Sequence, residues 1–321
     1  MAADQQFWGS AARGGYFTNN RLSAQLRHAL TPLMKFRQFV DVKEGWGKGV
    51  GDTLYFNKIS TIATAGAALT ETNTIPEHAF AISRGTITLT EYGNSVPFTG
   101  KLEALSEYDV TNPISRVLRD DMARRLDYYA GLEFRKTKLK YIASSTALSL
   151  WETLAGAAET IASAKNAKGG WRLFHIREVV DRLKQNNVPK YDGENYMCIA
   201  SVNFMRQIRK DSDWQDAVKY GDPERLFAGE VGRIEGVRFI EETNCLIDTL
   251  GSGADLGEAV VFGKECVIEG IAIPEMLRAK VPTDYGRSKG IAWYALLGWE
   301  RMWKVDDAGQ YAHIIHLTSA A

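Results

Sequence analysis

The segment that most invites a phosphate-binding reading is Gly45-Trp46-Gly47-Lys48-Gly49-Val50-Gly51. A phosphate loop needs a helix directly behind it, whose N-terminus meets the anion, and its mononucleotide form ends in Gly-Lys-Ser/Thr. Here Thr53-Leu54-Tyr55-Phe56 follows, which has strand chemistry, so these glycines predict a hinge or the base of a hairpin. His313 and His316 stand three apart in a segment that reads as a strand, where their side chains point to opposite faces and share no metal easily. Asp211, Asp213, Asp216 and Asp222 suggest a calcium loop. Asp216, however, occupies the position that requires glycine, and Asp222 the position of the bidentate Glu, so helix-end and turn chemistry is the better reading. Asp120 and Asp121 are neighbours on a helix and do not face each other, which makes a poor acid/base couple. Cys198, Cys245 and Cys266 form no Cys-x-x-Cys pair and sit beside no histidine. That cysteine usage fits a reducing compartment. The expectation is no catalytic, cofactor-binding or metal-binding residue.

What the chain does carry is organisation. Its 39 basic and 39 acidic residues cancel, so no global field holds nucleic acid or an anionic membrane, while 45% hydrophobic residues supply a buried core. No basic region followed by an apolar core opens the chain, and no apolar run approaches the ~20 residues of a membrane span, so no membrane partner is expected. Residues 1–45 form a mildly basic arm, with Arg13, Arg21, Arg27, Lys35, Arg37 and Lys43 against Asp4, Asp41 and Glu44. Within it Leu22, Leu26, Leu30 and Leu33 recur at helical spacing. Strand chemistry at 53–57 and 85–92 brackets a polar, small-residue tract at 60–74, which predicts an extended hairpin unable to bury much of itself. Loops of that length inside compact domains are uncommon unless they have a job.

Asn112 and Pro113 then open a helical pattern through Ile114, Leu118, Met122, Leu126 and Tyr129 towards Tyr141, about 28 residues or roughly 42 Å. Its polar face, with Arg116, Arg119, Asp120, Arg124, Arg125 and Asp127, reads as a solvated, ion-paired surface. A second helix is expected at 173–187, then α/β alternation with strands at 196–200, 237–241, 258–262, 266–273, 291–299 and 312–317 and a short helix at 203–210.

The order of arm, long hairpin, long helix, α/β region and returning strands resembles the Hong Kong 97-type fold of the major capsid proteins of tailed bacteriophages. Local sequence carries the same resemblance. Leu69-Thr70-Glu71 followed by the strand that ends in Glu91-Tyr92-Gly93 is similar to one branch of these coat proteins, as are Tyr196-Met197-Cys198-Ile199-Ala200, Arg209 to Trp214 and Gly229 to Arg238. The resemblance implies an α+β chain with an N-terminal arm (1–45), an extended hairpin loop (46–92), a peripheral domain with a spine helix (93–190), an axial α/β domain (191–284) and returning strands of the peripheral domain (285–321). It implies self-assembly into pentamers and hexamers of an icosahedral shell around double-stranded DNA, in a virion assembled in the host bacterial cytoplasm. Leu69, Thr70, Glu71, Glu91 and Tyr92 become the candidates for contacts between subunits. The partners would be further copies of the chain, packaged DNA met non-specifically on the inner face, and scaffolding, portal and decoration proteins. Two alternatives stay open: a nanocompartment shell of the same fold enclosing protein cargo, and a cytosolic α+β enzyme with a non-local active site.

Overall fold

The computed structural model describes residues 34–43, 51–59, 77–107, 109–142, 150–153, 170–221, 232–248, 256–304 and 312–318, together with residues 32, 62, 66, 68–71, 74 and 75. The helix expected through Leu22 to Leu33, and the glycines at 45, 47 and 49, lie outside the described residues. In chain order the elements are a 3-10 turn (Arg37–Phe39), β1 (Asp41–Lys43), β2 (Thr53–Ile59), β3 (Ile82–Thr88), β4 (Thr90–Thr99), α1 (Gly100–Leu105), α2 (Thr111–Arg135), β5 (Leu139–Ile142), β6 (Leu150–Thr153) and α3 (Leu173–Gln185). There follow β7 (Tyr196–Ala200), α4 (Val202–Lys210), α5 (Ser212–Gly221), β8 (Arg233–Ile234), β9 (Val237–Glu241), β10 (Ala259–Phe262), β11 (Val267–Ala279), β12 (Ser288–Arg301) and β13 (Ile314–Thr318).

The strands form a four-stranded sheet ordered β1-β11-β12-β4, a seven-stranded sheet ordered β6-β5-β13-β10-β7-β9-β8, and the two-stranded hairpin β2-β3. The seven-stranded sheet is apolar on both faces, which is why β7 and β10 are buried at every position. Cys198, Ala200, Val261 and Ile315 meet α3 and α4 on one side, in a core with Ile176, Val179, Leu183 and Phe204. The alternate residues Met197, Ile199, Val260, Phe262 and Ile314 enter a second core with α2 and the four-stranded sheet. Helix α2 therefore lies between the two sheets. Ile114, Leu118 and Leu126, with Ala130 and Phe134 in its second half, are its buried apolar positions.

Several expected boundaries move, each for a visible reason. Helix α2 begins at Thr111, where the Asp109 carboxylate accepts from the Thr111 N–H at 3.0 Å, so Asp109 does the work expected of Asn112. Pro113 falls inside the first turn, whose N–H groups have no helical acceptor in any case. The helix stops at Arg135 and not near Tyr141, because residues 139–142 are buried as a strand beside β13. The strand expected at 85–92 is split at Leu89: β3 pairs with β2, while β4 leaves the hairpin and pairs with β12. Strand β11 runs to Ala279, well past residue 273, because two register shifts between Ile271 and Met276 disrupt the alternation that marks a strand in sequence. Sheet membership also cuts across the expected segments. Strands β5, β6 and β13 share a sheet with β7 and β10, whereas β11 joins β12 and β4.

Candidate assembly surface

Among the described residues, the hairpin β2-β3 has the least cover of its own. Its pairs run from Thr53↔Thr88 through Phe56↔Gly85 to Ile59↔Ile82. One face turns inward, and Leu54, Ile87 and Leu89 pack on Ile268 in a small third core with Leu296 alongside. The seat for that packing is a pair of glycines opposite each other, Gly270 on β11 and Gly298 on β12. A Cβ at Gly298 would collide with the Thr88 carbonyl oxygen, and one at Gly270 with Leu54. Further out, Lys58 is buried with its ammonium 5.6 Å from the centre of the Trp303 ring, which in turn stacks on His313. Gly298→Val should therefore lift the hairpin from the sheet and cost about 1–3 kcal/mol. A lowered thermal midpoint with faster proteolysis between residues 53 and 88 is the expected result, and an unchanged protein would refute the seating.

The other face and the described residues of the tip are uncovered. Among the described residues fifteen large apolar side chains are exposed, and seven of them, Tyr55, Ile59, Ile62, Leu69, Ile75, Phe80 and Ile82, lie between residues 55 and 82. Ile59 and Ile82 face each other across the hairpin, and the Arg84 guanidinium sits 5.3 Å from the centre of the Tyr55 ring. A two-stranded ribbon of this kind is marginal in water by itself, and its outward face presents these apolar side chains to solvent.

The five residues singled out from sequence separate into two places. Leu69, Thr70 and Glu71 are exposed in the tip. Glu91 and Tyr92 belong to β4, on opposite faces of the four-stranded sheet. Glu91 accepts a hydrogen bond from the Tyr294 hydroxyl at 3.0 Å on the outer face. Tyr92 points inward, with its ring 4.6 Å from that of Tyr129 and 5.6 Å from that of Trp299.

Two groups of charges, one partly buried and one buried, brace the frame beneath. Arg37 donates to Glu269 and, with both terminal nitrogens, to Glu275 at 2.7 and 3.0 Å, while its backbone N–H donates to Asp127 of α2 at 3.0 Å. Burial pushes the Glu269 carboxyl up, whereas the Arg37 hydrogen bond holds Glu275 down. The start of the four-stranded sheet is thereby tied to the long helix. The second group lies below the C-terminal end of α2. Arg135 donates to both oxygens of Glu258 at 3.0 and 3.1 Å, His316 Nε2 lies 2.9 Å from Glu258, and Lys140 Nζ lies 2.9 Å from His316 Nδ1. Lys140 also donates to the Arg135 carbonyl, meeting the negative end of the helix. An ammonium can only donate, so Nδ1 of His316 accepts and Nε2 carries the hydrogen given to Glu258. Burial, with Lys140 adding to it, pushes His316 down to about 4, in keeping with a neutral ring.

Nothing in sequence announced this quartet. The three-residue spacing of His313 and His316 drew attention to a different pairing. His313 Nδ1 lies instead 2.9 Å from the Lys264 carbonyl. The acidic run resolves as expected for Asp211, which accepts from the Leu173 N–H at 2.7 Å and stands between α4 and α5. Asp222 lies outside the described residues. Among the described residues no three His, Cys, Asp or Glu side chains gather as metal ligands, and no helix is long and apolar enough to cross a membrane.

No protein-family model and no curated protein sequence matches the chain. Solved structures do. The capsid of cyanophage P-SCSP1u superposes with a TM-score of 0.69 at 12% identity, over 94% of this chain and 93% of that one. The capsid subunit of cyanophage Pam1 gives 0.68 at 14% identity over 100% of both chains. The capsid of Helicobacter pylori bacteriophage KHP30 gives 0.67 at 11% identity, over 94% and 96%. Over nearly its whole length the chain has the fold of these phage shell subunits, the Hong Kong 97-type fold.

Proposed function

We propose that this chain is the major coat protein of a tailed phage, and that many copies close into an icosahedral head of pentamers and hexamers around double-stranded DNA. The single observation that carries the proposal is the hairpin, with seven exposed apolar side chains on a ribbon that its own subunit covers on one face only. A surface of that kind gains burial on a neighbour, and repetition of one such contact around a ring is how identical subunits generate closed assemblies. Nearly full-length likeness to phage capsid subunits supports the same reading. In this role the four-stranded sheet, α2 and the hairpin form the periphery of each capsomer, and the sheet packed by α3 and α4 forms its axial part. Leu69, Thr70 and Glu71 at the tip meet the neighbouring subunit. Scaffolding, portal and decoration proteins are the further partners that such a head requires, and DNA meets its inner face through the basic arm without sequence preference.

Light scattering on the purified protein, followed through concentration and salt, tests the proposal. A cooperative rise to megadalton particles is expected, and a species that stays monomeric under all conditions, with phage lysate added, would overturn it. Nucleic-acid absorbance of particles recovered from infected cells separates a phage head from a nanocompartment filled with protein.

A further inference from the structure

Two segments of the chain converge on the middle of α2, and two buried carboxylates hold them there. Asp127 of α2 accepts the Arg37 N–H at 3.0 Å, and the neighbouring N–H groups of Phe36 and Lys35 also favour its charged form. Glu242, directly after β9, accepts three successive N–H groups, those of Asn244 at 2.5 Å, Cys245 at 2.7 Å and Leu246 at 3.1 Å. Asn244 joins the two acids to the helix, because its side-chain amide donates to the Arg124 carbonyl at 2.8 Å and to Asp127 at 3.4 Å. Phe36 closes the junction. A Cβ on Gly131 of α2 would collide with both the Phe36 ring and the Cys245 sulfur, so this thiol is sealed where residues 35–39, the loop 242–246 and the helix meet. Asp127 and Glu242 are 4% and 0% exposed, and neither has a salt-bridge partner among the described residues. The charges around them are engaged elsewhere. Arg37 turns its guanidinium to Glu269 and Glu275 of β11, Arg124 lies 3.8 Å from Asp121, and the Arg135–Glu258 pair stands beyond Cys245.

We propose that Asp127 and Glu242 form a proton-operated latch, which holds residues 35–39 and the loop 242–246 on α2 while the pair carries one proton and lets both lift once the second carboxylate ionises. Two acids buried side by side, with no cation bonded to either, cannot both hold full charge cheaply, whereas one charge and one proton suit the donors on offer. Burial lifts Glu242 to about 7 against the pull of its three N–H bonds, and Asp127 adds to the rise. Once the loop opens to water, Glu242 returns towards its ordinary 4.5. Between those values the closed latch holds a proton that the open one releases, so each unit of rising pH favours opening about tenfold, up to roughly 300-fold in all. The latch acts inside one subunit. It controls how firmly the segment leading into β1 and the loop leaving the seven-stranded sheet are fastened to the long helix, and it does not depend on the shell reading.

Cys245 is the built-in reporter, and the other two buried cysteines are its controls. Cys198 sits in the core under α3 and α4, and Cys266 donates to the Gly263 carbonyl at 2.9 Å, both away from the junction. The unassembled full-length subunit is labelled with N-ethylmaleimide from pH 5.5 to 8.5 and each cysteine is followed by peptide mass spectrometry. Every rate is divided by that of the urea-unfolded chain at the same pH, which cancels the titration of the thiol itself. The relative rate at Cys245 should rise about tenfold per unit up to pH 7 and then level off, while Cys198 and Cys266 do not follow. Hydrogen exchange at the Arg37 amide, corrected for its intrinsic rate, should trace the same profile. Glu242→Gln, which cannot ionise, should make Cys245 level across the range. A level profile at Cys245 in the wild type, a rise shared by all three cysteines, or a rise that persists in Glu242→Gln would each overturn the latch. If that variant does not fold, the wild-type profile with its two internal controls still decides.

Discussion

Deletion of residues 62–74 leaves a folded subunit that forms no shells. The described residues of this tip, among them Ile62, Leu69, Thr70 and Glu71, are exposed, and none belongs to any of the three apolar cores. Joining β2 to β3 through a shorter loop changes the loop-closure entropy by less than about 1 kcal/mol. Circular dichroism and the thermal midpoint of the unassembled subunit should therefore stay close to those of the full chain. Assembly should fall to the baseline of light scattering, because on the proposed role the tip makes its contacts with a neighbouring copy. Normal particles from the deleted chain would show that the tip has no part in the shell.

The largest loss of stability is expected on replacing Glu258. Its carboxylate is hydrogen-bonded to both Arg135 and His316, and Arg135, Lys140 and His316 are all buried around it. Glu258→Gln removes the buried anion that Arg135 meets through two hydrogen bonds, a change that costs about 3–5 kcal/mol in comparable buried pairs. Urea unfolding of the unassembled subunit measures it, and a loss below about 1 kcal/mol would mean that solvent reaches the group.

The same quartet sets a response to acid. His316 is held at about 4 in the folded chain against an ordinary value of 6.5, so between those values the unfolded chain binds the extra proton. The stability this provides is complete above about pH 6.5 and is lost as the pH falls towards 4, roughly 3 kcal/mol in all. Glu258, lowered by His316 and Arg135 against the pull of burial, contributes in the same direction at the acid end. Glu242 runs the other way. Burial lifts it to about 7 even though it accepts three backbone N–H bonds, so its contribution is lost as the pH rises from about 4.5 to 7. Comparison of wild type with His316→Gln isolates the histidine. The wild type should lose more stability between pH 6.5 and 4.5, and parallel curves would contradict the neutral-ring assignment.

The sequence was most informative where a single period governs a segment. Ile176, Val179, Val180 and Leu183 mark α3 because one face of that helix meets one core. The run 196–200 reads as a strand because both its faces are buried. The start and end of α2 were misplaced because Asp109 caps the helix from outside the apolar pattern and because tertiary pairing claims residues 139–142. The double shift in β11 erased its alternation, and the break at Leu89 depends on which partner each half of 82–99 finds. The exposed hairpin was legible, since apolar residues set among small and polar ones over a long tract cannot form a core. Its seat was not, because Gly270 and Gly298 act as a pair only once β11 and β12 lie side by side. The buried quartet draws its members from α2, β5, β13 and the residue before β10, and no spacing in the chain brings those four together.

Electron microscopy of the purified full-length protein under assembly conditions tests the central claim most directly. The account predicts closed shells of uniform diameter, built from rings of five and six. A homogeneous population of single subunits that never associates, carrying a hairpin whose apolar face stays open to solvent, would contradict it.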